Sequence, residues 1–417
     1  MSRILQAPPI SPAKEVRLAR SMAEIELSGL REVMELATRP GILSLAVGLP
    51  ATDLFPMAAL AEAAAHLLAT DPGCMQYAPP LKPLKAQIAE LMAMRGVRVR
   101  PEQIFLTTGS QQAMDLLCRL LVDPGAQVLL EETVYDGIQL AVKRQQVEIL
   151  TVSTDPDTGI DVDQVESLLV RGARPCLLYV ITEGHNPLGV SLSVEKRHRL
   201  VQLARTHGIA ILEDDAYGFL YYGDKPEPPL RALDDKWVFY LGSFSKILAP
   251  ALRAGWAVVP EELAPRMSML KHAADLDTPS FSFRTISAYL EAGGMVQHLE
   301  EIRAEYRRRR DAVLSAMQEH FPPQVRWNRP SSGMFVWVEL PREMDATVLL
   351  RAAVETEQVA FSPGDVFASR AGGHARHCLR LSFANSTPPR LEEGIRRLGR
   401  VIKALLPLPP ILPATLL

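Results

Sequence analysis

Between residues 103 and 217, short and continuously apolar runs alternate with longer helical patterns, and this alternation narrows the possible folds more than any other feature. "QIFLTTG" precedes "SQQAMDLLCRLLV", "AQVLLEE" precedes "TVYDGIQLAVKRQQ", and "CLLYVIT" precedes "SVEKRHRLVQLARTHG", which runs into "IAILEDDAY". A strand that is apolar at every position is covered on both faces, and crossover helices supply that cover. The runs therefore predict a mostly parallel sheet in an α/β domain. In such sheets ligands gather at the carboxyl ends of the strands.

Near residue 300 the texture changes to a long charged helix, "QHLEEIRAEYRRRRDAVLSAMQEH", and then to the short runs "MFVWVEL", "VAFSPG" and "CLRLSFA". This reads as a smaller α+β domain. The expected division is an N-terminal arm and helix over 1–56, a large domain over 57–300, and a small C-terminal domain over 301–417 that packs with the arm. "RRRR" at Arg307 to Arg310 suits the solvated face of its helix. The tail "ALLPLPPILPATLL" is too proline-rich for a regular helix.

With 417 residues, 47% of them hydrophobic, the chain has material for a large core, and a net charge of -3 gives no electrostatic footprint for nucleic acid. Cys74, Cys118, Cys176 and Cys378 lie far apart with no C-x-x-C pair, which argues against a disulfide framework and against a zinc site. His374 and His377 in "GGHARH" have no further ligand in register, so no metal is expected. No apolar run approaches a membrane span, and the N-terminus has no continuous apolar signal region. A cytoplasmic location is the expectation.

Three predicted strands deliver polar residues at their C-terminal ends: Asn186, Asp214, and Ser243 with Lys246 in "FYLGSFSKILAPALRAG". Any one of these is an ordinary turn or helix cap. Three together ask for a shared ligand. A lysine partly desolvated at a sheet edge and close to other cations has its charged form disfavoured, so its neutral amine is available to attack an aldehyde. That is Schiff-base chemistry.

The order and spacing of these residues resemble fold-type I pyridoxal-phosphate enzymes. "SFSK" has an arginine seven residues on, "EDDAY" places Asp214 32 residues before the lysine, "NPLG" begins 28 residues earlier, and "GSQQA" lies further upstream. The set is similar to the class I/II aminotransferases, most of all to the branch with the aminoadipate, kynurenine and aromatic amino-acid aminotransferases. That resemblance implies a large domain with a mostly parallel seven-stranded sheet plus a smaller α+β domain. It also implies the cofactor pyridoxal 5'-phosphate and ping-pong transfer of an amino group from an α-amino acid to a 2-oxo acid.

By the same resemblance, Lys246 forms the Schiff base with the cofactor and moves the substrate proton. Asp214 pairs with the pyridine nitrogen; Asp215 is the competing carboxylate, but the family places this partner three residues before a tyrosine, here Tyr217. Tyr217 and Asn186 hydrogen-bond the ring hydroxyl, and Tyr135 stacks on the ring. The phosphate takes the N–H groups of Ser110 and Gln111 at a helix N-terminus, together with Ser243, Ser245 and Arg253. Tyr77 in "CMQYAPP" matches a tyrosine that reaches the phosphate of a neighbouring subunit, implying a homodimer with composite sites; "APPLKPLK" departs from the family there by lacking a glycine. Arg380 in "CLRLSFA" grips the substrate α-carboxylate, with Gly48 and Asn186 beside it, and Arg31 in "SGLRE" contacts the substrate side chain. Leu188 in "NPLG" and the segment "TEGH" depart from the family pattern next to the expected pocket.

Two other function classes use the same residues. A lyase, synthase or oxidase would keep the cofactor and give the carbanion a different fate. A regulator's effector domain would lack catalysis and need an added DNA-binding domain.

Overall fold

Seven strands form the main sheet of the structure, a computed structural model that describes residues 19, 22, 30–223, 225–370 and 373–406. They are β1 (Ile104–Thr107), β2 (Gln127–Glu131), β3 (Glu148–Val152), β4 (Pro175–Val180), β5 (Ala210–Asp214), β6 (Val238–Ser243) and β7 (Gly255–Val258). Their order is β1-β7-β6-β5-β4-β2-β3. The five strands from β6 to β3 run parallel, and β7 is antiparallel to both neighbours.

The continuous apolar runs divide their side chains between two faces, as a period of two requires. Leu177, Tyr179 and Ile181 join one core with Leu212, Phe239 and Leu241, while Leu178 and Val180 join a second core with Ile211 and Val238. The first core is roofed by α1 (Ser110–Leu121) and α2 (Asp136–Lys143), and the second by α3 (Val194–His207). Burying each Leu or Ile of these layers contributes roughly 2 kcal/mol. Local chemistry sets the limits of α3. The Ser193 side chain accepts from the Lys196 N–H at 3.3 Å, and Gly208 closes the helix in the left-handed region at φ 69°.

Beyond α4 (Met295–His320) lies an antiparallel sheet of β8 (Arg326–Trp327), β9 (Phe335–Glu339), β10 (Ser362–Pro363) and β11 (Cys378–Ser382), ordered β8-β9-β11-β10. α4 packs along α5 (Pro388–Leu405). The N-terminal segment is tied to this region: Leu43–Ser44 pairs in parallel with Val359–Ala360, and the Ser382 N–H donates to Leu45 O. The Pro-rich tail past Leu406 lies outside the described residues. None of the described helices is long and apolar enough to cross a membrane.

The arginine run corrects the expectation of a solvated face. Successive helical residues point about 100° apart, so four consecutive arginines cannot share one face. Arg308 is exposed, but Arg309 is 1% exposed and donates to Glu305, Asp53 and the carbonyl of Ala384. Arg307 donates to the carbonyl of Tyr222, and Arg310 donates to Pro330 O with its guanidinium over the Tyr222 ring. The run binds α4 to the segments on either side of it.

Candidate active site

Parallel alignment brings the carboxyl ends of β4, β5 and β6 to one edge of the sheet, where they deliver Asn186, Asp214 and Lys246 to a cavity of about 290 Å³. Gly48, Ser110, Tyr135, Tyr217 and Arg380 also line it. Eight of the residues expected from the sequence thus meet in one place.

Lys246 Nζ donates to the carbonyl of Gly48 at 2.9 Å. Burial, reinforced by the positive charges of Arg380 and Arg253 and opposed by Asp214, lowers its ammonium from 10.5 to about 8. Roughly a tenth of the amine is then neutral at pH 7, far more than for an ordinary lysine, and the neutral form is what nucleophilic attack requires.

The adjacent carboxylates separate by the alternation of strand side chains. Asp214 lines the cavity. Asp215 turns away and is held by Arg95 at 3.3 Å and by the Tyr240 hydroxyl at 2.8 Å. Burial raises Asp214 from 3.8 to about 6, opposed by the hydroxyl of Tyr179, which donates to Oδ2 at 2.8 Å. Oδ1 is buried without a hydrogen-bond partner. A buried carboxylate oxygen left in this state is costly unless a donor arrives, and a protonated ring nitrogen is such a donor.

An anion cradle lies beside the lysine. Gly109 precedes α1 at φ 84°, and a Cβ there would sit 2.7 Å from Arg253 Nη2, so the guanidinium approaches the helix N-terminus because glycine leaves the space. Helix geometry leaves the first N–H groups of α1 without intrahelical partners, and the helix dipole favours an anion at that end. Ser243 is buried and accepts from the Ser245 N–H at 3.1 Å. Gln111, Ser243, Ser245 and Arg253 are not among the residues that line the cavity. Gln111 holds the Tyr135 hydroxyl at 3.3 Å. An aldehyde-reactive amine, an orphaned acid oxygen and an anion cradle fit a pyridine aldehyde that carries a phosphate.

Arg380 extends from β11 and is stacked between the rings of Phe335 and Phe367, at 4.3 and 4.6 Å from their centroids. Nη1 donates to Asn186 Oδ1 and Nη2 to Ala46 O, each at 2.6 Å, while Nε has no partner. Burial lowers its pKa to about 10, which leaves it charged at neutral pH. Gly48 is explained by a close approach, since a Cβ there would meet Phe335 Cζ at 2.6 Å.

Some expectations stand elsewhere. Tyr77 is 77% exposed and lies with Met75 and Phe281 at a separate cavity, outside this chain's own site. The Arg31 side chain falls outside the described ones. The departures at "TEGH" and Leu188 lie beside the cavity, between or against residues that line it, without lining it themselves. Glu183 pairs with Arg197 at 2.5 Å, and Leu188 is packed among Val190, Trp337 and Phe367. Phe335, Phe367, Ile181, Val47 and Asp136 line the cavity without having been singled out. Apolar residues there carry the same pattern as any core position; only Asp136, an acid opening α2, carried a signal in its polarity.

The family model "Aminotransferase class I and II" matches residues 40–398. The chain is 41% identical to the 2-aminoadipate transaminase of Thermus thermophilus, covering 93% of this chain and 97% of the relative. It is 34% identical to aromatic-amino-acid aminotransferase 1 of Thermococcus litoralis, covering 91% and 92%. Among solved structures, the α-aminoadipate aminotransferase of Thermus thermophilus, complexed with N-(5'-phosphopyridoxyl)-L-leucine, superposes with a TM-score of 0.86 at 39% identity, covering 93% of this chain and 97% of the other.

Proposed function

The chain belongs to the class I and II aminotransferases and is a pyridoxal-phosphate enzyme, and from that premise we propose how its own residues divide the work. When bound, the cofactor supplies an aldehyde that takes up the amino group and a ring that withdraws electrons from the substrate α-carbon. Lys246 Nζ holds the aldehyde at rest and, once released, carries the proton to and from the α-carbon. Asp214, through Oδ1, keeps the ring nitrogen protonated. The Asn186 amide N–H, its Oδ1 being taken by Arg380, and the Tyr217 hydroxyl donate to the ring hydroxyl oxygen, and Tyr135 covers one ring face. The N-terminus of α1, with Ser110 and Gln111, holds the phosphate together with Ser243, Ser245 and Arg253. Arg380 binds the α-carboxylate of an amino acid or 2-oxo acid, and Asn186 and Phe335 set its orientation.

The observation that carries this reading is the meeting of Lys246, Asp214 and Arg380 at a single cavity. Val47, Ile181, Phe335 and Phe367 add apolar walls, which suit an amino donor with an apolar side chain such as L-leucine. Arg31 at the N-terminal segment would extend the range to a donor with a terminal carboxylate, such as 2-aminoadipate.

Tyr77 and Met75, both more than two-thirds exposed in the single chain, support a homodimer in which Tyr77 completes the partner's phosphate site. Equilibrium sedimentation that returns a monomer would remove this part of the reading. Four free cysteines suit a reducing cytoplasm, and measured export of the protein would contradict that placement.

The function is tested by following the absorption of the lysine-bound cofactor. L-leucine or 2-aminoadipate is expected to convert it to the amine form, and a 2-oxo acid to restore it. Oxygen uptake, or ammonia release without an acceptor, would assign the chain to a different carbanion fate.

A further inference from the structure

We propose that Tyr179 is a positioning residue for catalysis: its hydroxyl ties down one oxygen of Asp214 and so reserves the other, in ionised form, for the cofactor ring nitrogen. The inference rests on the reading of Asp214 given above.

Register puts the two side chains within reach. Tyr179 on β4 pairs with Leu212 on β5, so Tyr179 and Asp214 share a sheet face as diagonal neighbours, a separation that a long aromatic side chain spans. Tyr179 is fully buried beneath α1, among Met114, Leu117 and Leu212. A phenol in such a layer needs a partner for its O–H, and Asp214 Oδ2 is the acceptor at 2.8 Å. Phenylalanine would fill the same space without that requirement, so the hydroxyl is what distinguishes the position.

The hydroxyl acts in one direction. Burial and the Asp214 charge hold the Tyr179 phenol well above its ordinary range, so it donates and does not ionise. Donation stabilises the carboxylate in a site where burial favours the neutral acid. Oδ1 remains without a partner in a residue that lines the cavity. Without Tyr179, the carboxylate would lose its side-chain donor and the acid would hold its own proton more strongly, in competition with the ring nitrogen.

The test uses holoenzyme reconstituted with cofactor carrying ¹⁵N in the ring. Tyr179→Phe is expected to move the ring-nitrogen resonance towards the unprotonated position and to slow the half-reaction with the amino donor about tenfold, with little change in phosphate-dependent cofactor retention. Replacing Tyr179 by 3-fluorotyrosine, a stronger donor of nearly the same shape, is expected to move the resonance in the opposite direction. That arm stands even if the phenylalanine variant fails to fold. A purely structural tyrosine would lower the melting temperature and leave the resonance where it was. Unchanged resonances in both variants overturn the proposal. Asp214→Asn, measured in parallel, separates the two readings. If it leaves the resonance unchanged, the role of Asp214 fails; if it shifts the resonance and neither Tyr179 variant does, the role of Tyr179 fails.

Discussion

Arg380 Nη1 donates to Asn186 Oδ1 at 2.6 Å, a bond that joins the small antiparallel sheet to the segment following β4 of the main sheet. The residue expected to grip substrate and a residue expected to touch the cofactor ring are therefore one mechanical unit. Their coupling is a charge-assisted hydrogen bond in a buried site, worth roughly 1.5–3 kcal/mol. Arg380→Lys, Asn186→Ala and the double variant are expected to show non-additive losses of substrate affinity, with a coupling of that size. Measuring dissociation constants from the spectral change with an amino donor checks this, and additive losses would show the two residues acting separately.

The pH dependence follows from two groups of opposite charge type. Lys246 has its folded pKa lowered to about 8 from 10.5, so its neutral fraction grows about tenfold per unit up to that pH and then levels. Cofactor uptake by apoprotein should follow that curve. The unfolded chain binds more protons at this group between pH 8 and 10.5, so apoprotein stability should rise with pH across that window, and Lys246→Met should flatten the rise. Asp214 is raised to about 6 from 3.8, so it contributes stability below 3.8 that is lost as pH climbs through 6, and its carboxylate is available above 6. Melting curves and uptake rates across pH read both slopes.

Gly109→Ala tests the anion cradle. Residue 109 sits at φ 84°, where an L side chain is strained, and the new methyl would fall 2.7 Å from Arg253 Nη2. The guanidinium has to withdraw from the helix N-terminus. Cofactor binding is expected to weaken at least about tenfold, while pyridoxal without its phosphate binds as before. An equal loss for both forms would place the damage outside the phosphate site.

Arg309→Met separates stability from chemistry. The substitution removes a buried guanidinium from Glu305, Asp53 and Ala384 O and should cost roughly 3 kcal/mol. The spectrum of bound cofactor should not change. Denaturant midpoints and absorption spectra on the same samples give the two answers.

These residues also show what a sequence discloses. Asn186, Asp214 and Lys246 were legible because parallel strands with apolar bodies leave their polar residues only at the ends, and the ends align. The choice between Asp214 and Asp215 needed a family pattern, since alternation says that they face opposite ways without saying which faces the ligand. The burial of Arg309 was hidden because a run of charge is read as one surface, whereas a helix turns each member to a different neighbour. Leu188 and "TEGH" were expected next to the pocket from their adjacency to Asn186, and there their side chains enter contacts behind the lining, Glu183 with Arg197 and Leu188 with Phe367. Tyr179 was concealed inside an apolar strand, where its hydroxyl was the only sign of a partner.

The most direct measurement is borohydride reduction of the holoenzyme followed by proteolysis and mass spectrometry. A phosphopyridoxyl group on the nitrogen of Lys246 is the expected result, abolished when amino donor is added before the reductant. Label on a different lysine, or a Lys246→Ala protein that still takes the label and turns over, would contradict the account.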